Sequence, residues 1–400
     1  MIVSFYYILH IFVLFFLLFP AVLVLLVQLV PRRRLQPIPD NAYQHDFACI
    51  ITAYQNIDIA LPLIDSLLKQ QYEHFTVYLV TDDCQTVPQI NDSRVVVLNP
   101  PQKLGSKVKS MQYAIANFVR NHEYIVIFDP DNLAITTLLR QYNQYIHNGY
   151  KAVQARRTAK NLDTIYACAD ATGEIYKNYI ERFVPYHLGS SATIAGSGMA
   201  VESQLFNGFL QSRAITQLLQ VGRVVVAEDK ILHNYLVKNG TVIAYANEAL
   251  VYDEKVTEAQ QVTRQRTRWI YAYFENIDNS LRFLWQGIIS FNWNQFLFGI
   301  FSVYPPLFLL LLAALGLAAF DIFFNHFLLF LLVLSIIVFS ANILLTLYLS
   351  RAPKAVWSAL WGIPLFIGQQ ILALLQLRKA KNDFLTTRHT RKITIDQLPE

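Results

Sequence analysis

The chain has 400 residues, 54% of them apolar and 15% charged, with a net charge of +5. The charged share is well below the roughly 25% usual for soluble domains. The deficit is local: residues 1–30 contain no Asp, Glu, Lys or Arg, and residues 296–350 contain only Asp321. So modest a charge gives no ground for a nucleic-acid partner, and three widely spaced cysteines, Cys49, Cys84 and Cys168, spell neither a zinc site nor a disulfide framework.

From Ser4 to Val30 the chain is apolar, longer than the roughly 20 residues that cross a bilayer. Arg32-Arg33-Arg34 follow the run and no small-residue cleavage site does, so residues 1–31 read as an uncleaved anchor with its N-terminus outside and the next domain cytoplasmic. A Pro-rich linker leads to a buried strand at Phe47–Tyr54 and a helix near 58–70. Strands follow at Phe75–Val80, ending in Thr81-Asp82-Asp83, and at Val95–Leu98. A helix near 106–121 precedes a strand Tyr124–Phe128 that ends at Asp129. Short apolar strands alternating with helices predict an α/β domain with a mostly parallel sheet covered on both faces, where ligands bind beyond the carboxyl ends of strands. Further on come a strand at 151–155, a helix near 161–182 and a turn at Gly196-Ser197-Gly198. A short apolar run from Val224 then leads into Glu228-Asp229, a helix to about Val237 and a strand at 241–245.

Residues 270–295 mix aromatic and charged positions. They suit a helix in the headgroup plane or one packed on the soluble domain. Apolar runs near 296–318 and 326–349 predict a hairpin of spans turning at Asp321, with Pro305-Pro306 kinking the first or marking where an in-plane segment turns into it. The last run, 355–377, is interrupted by Gly362-Ile363-Pro364, and crossing would carry the basic tail 378–400 to the outside. A re-entrant or interfacial segment is the favoured reading, crossing the alternative.

The acidic groups carry the chemistry. Asp129-Pro130-Asp131 puts two carboxylates at a strand end, able to share Mg2+ or Mn2+, which prefers oxygen ligands and bridges nucleotide phosphates. Asp82-Asp83 ends another strand, where carboxylates meet a base or ribose; the other reading is a turn or helix cap. Lys103, Gly105 and Lys107 read either as a basic turn approaching the same nucleotide or as a solvated loop. Glu228-Asp229 opens a helix, either complementing its dipole or offering Asp229 as the base that takes a proton from an acceptor hydroxyl. In Gln265-Arg266-Thr267-Arg268-Trp269 an Arg beside a Trp can grip a diphosphate and floor a sugar site. His10, His187 and His233 stand alone and read as structural.

In order, Asp82-Asp83, Asp129-x-Asp131, Gly196-Ser197-Gly198, Glu228-Asp229 and Gln265-x-x-Arg268-Trp269 resemble the membrane-bound family-2 glycosyltransferases of the D,D,D,QxxRW type, such as cellulose, chitin and hyaluronan synthases and ceramide glucosyltransferases. The resemblance implies a GT-A fold, a Rossmann-like nucleotide-sugar domain at 45–268, between an N-terminal anchor and a C-terminal membrane region at 296–377, with 269–295 interfacial. It implies a metal-dependent, inverting transfer from a nucleoside-diphosphate sugar, a UDP-sugar foremost, to a lipid-linked or saccharide acceptor at the cytoplasmic face of the plasma membrane. Asp82, Asp83, Asp129, Lys107 and Tyr54 would serve the nucleotide, and Asp129 and Asp131 the metal. Asp229 with Glu228 would be catalytic, while Gln265, Arg268, Trp269, Gly196, Ser197 and Gly198 would line the acceptor and diphosphate. The first strand ends in Thr52-Ala53-Tyr54-Gln55-Asn56 without the family's acidic residue, and Ala227 replaces the usual Thr. A processive synthase and an inactive scaffold of the same fold are the alternatives.

Overall fold

The computed structural model describes residues 2–39, 42–220, 225, 227–377 and 391–398. Val224 and Val226 of the run before Glu228 lie outside them, as do Arg378, Lys379, Lys381 and Arg388 of the basic tail.

One eight-stranded sheet organises the soluble part, in the order β3-β2-β1-β4-β7-β6-β8-β5. Its strands are β1 (Phe47–Tyr54), β2 (Phe75–Asp82), β3 (Val95–Leu98), β4 (Tyr124–Phe128), β5 (Leu133–Ala134), β6 (Ala152–Ala159), β7 (Met199–Glu202) and β8 (Ile243–Asp253). β2 and β4 are buried on both faces, as strands between layers of helices must be. The first four strands pair in parallel, β1 at their centre. β7 then runs antiparallel between β4 and β6, and β8 lies parallel to β6. The carboxyl ends of β1, β2, β4, β6 and β8 therefore share one edge with the start of β7. Tyr54 stands beside Asp82 there, and Ala159 beside Asp253.

Helix α1 (Ile2–Leu29) precedes the sheet, and α2 (Leu61–Leu68), α3 (Lys107–Ala116) and α4 (Leu138–His147) connect its first half. The second half holds α5 (Ile165–Lys177), continued by a π-helical turn at Asn178–Phe183 into α6 (Val184–His187), then α7 (Ser203–Leu210), α8 (Arg213–Gln220) and α9 (Glu228–Lys238). After β8 comes α10 (Ala259–Ile289), one unbroken 31-residue helix running through both the Gln265–Trp269 segment and the stretch read as interfacial. It folds back on α11 (Trp293–Val303) at close range. A Cβ on Gly299 would stand 2.8 Å from the Leu284 Cα, so only glycine permits the crossing.

The apolar ends form a second layer. Among the described residues, four segments are long and apolar enough to cross a membrane: Val3–Leu29, Leu307–Phe324, His326–Leu349 and Lys354–Leu375. The middle pair are α12 (Leu307–Phe324) and α13 (His326–Leu349); the last combines α14 (Lys354–Ser358), a short 3-10 turn and α15 (Ile363–Leu375). α1 buries Val13, Leu17, Val24 and Val27 in a cluster shared with α12, α13 and the Asn178–His187 segment and leaves other apolar side chains exposed along its length.

Two expectations are corrected. The apolar run near 296–318 is not one helix kinked at Pro305-Pro306; α11 ends at Val303, and Tyr304-Pro305-Pro306 separates it from α12, because proline lacks the N–H that would continue the ladder. Asp321 is not in the hairpin turn. It sits inside α12, fully buried, accepting from the Tyr6 hydroxyl and meeting His10 Nε2 at 2.8 Å, while Asn325 makes the turn and caps α13.

Candidate active site

A cavity of about 1370 Å3 opens at the shared strand edge. Tyr54, Asp82, Lys107, Asp129, Asp131, Gly196, Glu228, Asp229, Gln265, Arg268 and Trp269 all line it. Residues spread over more than 200 positions meet because the parallel strands present their ends together and α9 and α10 close over them. Asp83, Ser197 and Gly198 do not reach the wall. Asp83 turns outward, with a positive φ, to Gln55 Nε2 at 2.9 Å and Lys103 Nζ at 3.1 Å. Ser197 is fully buried, and Gly198 is needed for packing, since a Cβ there would stand 2.9 Å from Val251.

Lys107 is the positive centre of the polar wall. Its Nζ donates to Asp129 at 2.6 Å and to the Gly196 carbonyl at 2.9 Å, and lies 3.6 Å from Glu228. Burial works against the charge, but Asp129, Glu228 and Asp229 outweigh it and raise the Lys107 pKa. Glu228 is raised by burial, opposed by Lys107 and reinforced by Asp229. Ala227, in the left-handed region at φ 77°, turns the chain so that both carboxylates open α9 at the cavity. One Asp229 oxygen accepts its neighbour's N–H, from Lys230, at 2.8 Å; the other faces Gly196, where a Cβ would stand 3.8 Å away. Asp82 is almost fully buried and accepts the N–H groups of Leu104 and Gly105 at 2.7 and 2.8 Å, which fixes the turn before Lys107.

Around Asp131 stands a second ring of charges, and its other members carry no motif in the sequence. Asp131 accepts the Glu254 N–H at 2.9 Å, and its backbone carbonyl accepts from Lys160 Nζ at 3.0 Å. Arg157, at the far end of β6, donates to Asp253 and to the Ala195 carbonyl. Lys255 is buried among Asp253 at 3.0 Å, Glu174 at 3.6 Å and Asp170 at 4.0 Å. One signal was available: Asp253-Glu254 ends an apolar run, as Asp82 and Asp129 do, but the strand was read as stopping near 245, whereas β8 extends to Asp253. The tail returns to this rim, where the Arg391 N–H donates to Glu254 at 3.0 Å.

Trp269 faces two cations, Arg266 at 4.3 Å and Lys177 at 5.6 Å from its ring centre. Arg266 also pairs with Asp170 and covers Phe366 on α15. Gln265 is buried, and its side-chain carbonyl has no partner among the described residues. Beyond these residues the wall turns apolar, through Pro305, Phe308 and Leu311 to Phe339 and Ile343. Leu311 lies about 6 Å of helix rise past Leu307, so the cavity enters the layer of apolar helices.

Among the described residues no three His, Cys, Asp or Glu side chains form a metal cage. Magnesium and manganese sites in nucleotide enzymes commonly use one or two carboxylates and take the other ligands from phosphates and water. Asp129 and Asp131, both on the wall, fit such an ion.

Residues 45–272, more than half of the chain, match the model of the family described as "Glycosyltransferase like family 2". The chain belongs to that family. As a family-2 glycosyltransferase it is an enzyme, and its sheet is of the GT-A type. The mannosyltransferase PcManGT from Pyrobaculum calidifontis, in complex with GDP-Man and Mn2+, is similar at 13% identity over 94% of this chain and all of that one, with a TM-score of 0.49. TarS residues 1–349 of S. aureus, in complex with UDP-GlcNAc, is similar at 14% identity over 53% of this chain and 59% of that one, with a TM-score of 0.36. Likenesses at this level say nothing of the donor or acceptor used by this chain. No curated protein matches it.

Proposed function

We propose that this family-2 glycosyltransferase moves a sugar from a nucleoside-diphosphate sugar to a lipid-linked acceptor at the cytoplasmic face of the membrane, with inversion. The observation that carries the reading is the single cavity joining a carboxylate-rich strand edge to an apolar helical arm. A donor with a charged diphosphate suits the first part. An acceptor with a hydrocarbon tail suits the second, because removing methylenes from water is favourable by about 0.8 kcal/mol each. The three arginines after α1 support a cytoplasmic catalytic domain.

In this reading Tyr54 and Asp82 face the nucleoside, and Asp129 and Asp131 would hold Mg2+ or Mn2+, which when bound offsets charge on the departing diphosphate. Lys107 keeps Asp129 and Glu228 from repelling each other and adds positive charge on the same side. Asp229 takes the proton of the acceptor hydroxyl as its oxygen attacks the anomeric carbon and the bond to the diphosphate breaks. Gln265 offers its unpartnered carbonyl to an acceptor hydroxyl; a buried acceptor left unpaired costs about 1–3 kcal/mol. Arg268 faces the diphosphate, and the Trp269 ring floors the sugar. Residues 45–268 are proposed as the catalytic domain, although α10 runs on without a break beyond them.

Purified protein in detergent with Mn2+, offered a panel of sugar nucleotides and either long-chain or short water-soluble acceptors, tests this. Single-sugar transfer to the long-chain acceptor is expected. A ladder of long glycans would establish the processive alternative, and transfer indifferent to acceptor chain length would overturn the lipid assignment.

A further inference from the structure

A second cavity, of about 750 Å3, lies where α1 ends. Arg32, Arg33 and Arg34 contribute to its wall together with Tyr186 and His187, and Glu248 is the one carboxylate among the residues lining it. Basic residues that serve only to orient a span need no built surroundings; Arg32 and Arg33 have them. Arg32 lies over the Phe183 ring at 5.7 Å and Arg33 over Tyr186 at 5.2 Å. The Arg33 N–H donates to His187 Nδ1 at 3.1 Å, which ties the chain to α6 just past α1. The Tyr186 hydroxyl donates in turn to Tyr150 at 3.0 Å, so the rings under the guanidinium groups are fixed as well. Two residues on, Gln36 and Asn148 exchange hydrogen bonds at 2.7 and 3.1 Å and pin the linker again.

No carboxylate among the described residues pairs with any of the three arginines, and Glu248 is engaged by Asn247 at 3.1 Å. Three like charges gathered at one cavity repel one another. An anion would relieve that, and guanidinium groups match phosphate oxygens in a fork geometry. The position selects the source of the phosphate. Leu29, the last residue of α1, is 81% exposed and belongs to a segment apolar enough to cross a membrane, so the mouth lies where a bilayer surface would meet the protein. Nearby, Trp293 is half-exposed and donates its indole N–H to the Leu188 carbonyl at 2.8 Å, the amphipathic placement found at membrane interfaces.

We infer that this cavity binds the phosphate of an anionic glycerophospholipid headgroup. The inference does not depend on the sugar-transfer reading and survives its failure. Full-length protein in a zwitterionic detergent would be titrated with dioctanoyl phosphatidylglycerol, dioctanoyl phosphatidylcholine and inorganic phosphate, following thermal stabilisation and bound adducts by native mass spectrometry. Saturable binding of the phosphatidylglycerol alone is expected. It should weaken at least tenfold in Arg33→Gln/Arg34→Gln and less in Arg33→Lys, which keeps the charge but loses the fork. Glu248→Gln, which removes an opposing charge without disturbing the arginines, should tighten it two- to threefold; that variant decides the matter if the double variant does not fold. Equal binding of phosphatidylcholine, displacement by millimolar inorganic phosphate, or affinity unchanged in both Arg33→Gln/Arg34→Gln and Glu248→Gln would overturn the inference.

Discussion

The two ends of the large cavity are built on different principles. At the polar end Asp82, Asp129 and Asp131 lie at or just past the ends of strands and Asp229 in the first turn of a helix, so topology delivers these four to one edge. At the apolar end Phe308, Leu311, Phe339 and Ile343 come from the flanks of helices whose positions depend on packing with α1, α10 and α15. The polar end reads as the seat of a reaction, the apolar end as the seat of a preference among acceptors. Substitutions at the two ends should therefore change different kinetic constants.

The largest effect is expected at the polar end. Asp229→Asn keeps the shape and removes the base, so kcat should fall by about 100- to 10,000-fold with donor KM little altered. Unchanged turnover at saturating substrate would remove Asp229 from the chemistry and with it the distinction between the ends. Lys107→Met comes next. It deletes a charge-assisted contact of about 1.5–3 kcal/mol, roughly ten- to a hundredfold in rate. Lys107 holds down the pKa of Glu228, which burial raises. Without it Glu228 protonates at higher pH, so the acidic limb of the rate profile should move upward; a limb that stays put would show that these carboxylates do not govern the rate.

Leu311→Trp sharpens the comparison from the other side. Filling the arm at that depth should displace two or three methylenes of a lipid tail, about 2 kcal/mol, or roughly thirtyfold in the KM of a long-chain acceptor. A short soluble acceptor should be unaffected. Equal losses with both acceptors would mean that the substitution had disturbed the polar end through α12, and that the two ends are not separable.

The same contrast governs what the sequence discloses. Asp82, Asp129 and Glu228-Asp229 were legible because each follows a short apolar run, and the position of a strand end needs no knowledge of packing. The first four strands and their parallel pairing were legible for the same reason. Three features were not. β7 inserts antiparallel into the sheet, and nothing in Met199–Glu202 distinguishes it from a parallel strand. Arg157 is half-buried against Asp253, 96 positions away, and Lys255 is buried against Glu174 and Asp170, over 80 positions away, so no local pattern announces either site. Asp321 lies inside α12 although a charge within an apolar helix is costly, because His10 and Tyr6, over 300 positions earlier, satisfy it. At the Gly196-Ser197-Gly198 turn the sequence gathered three residues where only Gly196 reaches the cavity.

The smallest effect concerns neither end, and is informative for that reason. Burial, with Arg32 and Arg33 nearby, pushes His187 down to about 4. Its ordinary value is near 6.5, so the unfolded chain takes up a proton there before the folded protein does. The resulting stability is fully present above about pH 6.5 and is lost progressively as pH falls towards 4. His233, pushed down to about 3 by burial and by Lys230, adds a loss of the same sign, so the comparison must be made against a variant. In His187→Gln the side-chain carbonyl can still accept the Arg33 N–H and does not titrate. Its melting temperature should fall less than that of the parent between pH 6.5 and 4, by about 3 °C, the scale of 1 kcal/mol in a domain of this size. At pH 7 its kcat and its KM for both acceptors should equal the parent's, because His187 belongs to the arginine-lined cavity and not to the one that holds Asp229. Parallel pH–stability curves would mean that His187 takes up its proton as readily in the folded protein as in the unfolded chain, so that accepting the Arg33 N–H does not hold it neutral, and the linkage between α1 and α6 would then have to rest on the aromatic contacts alone.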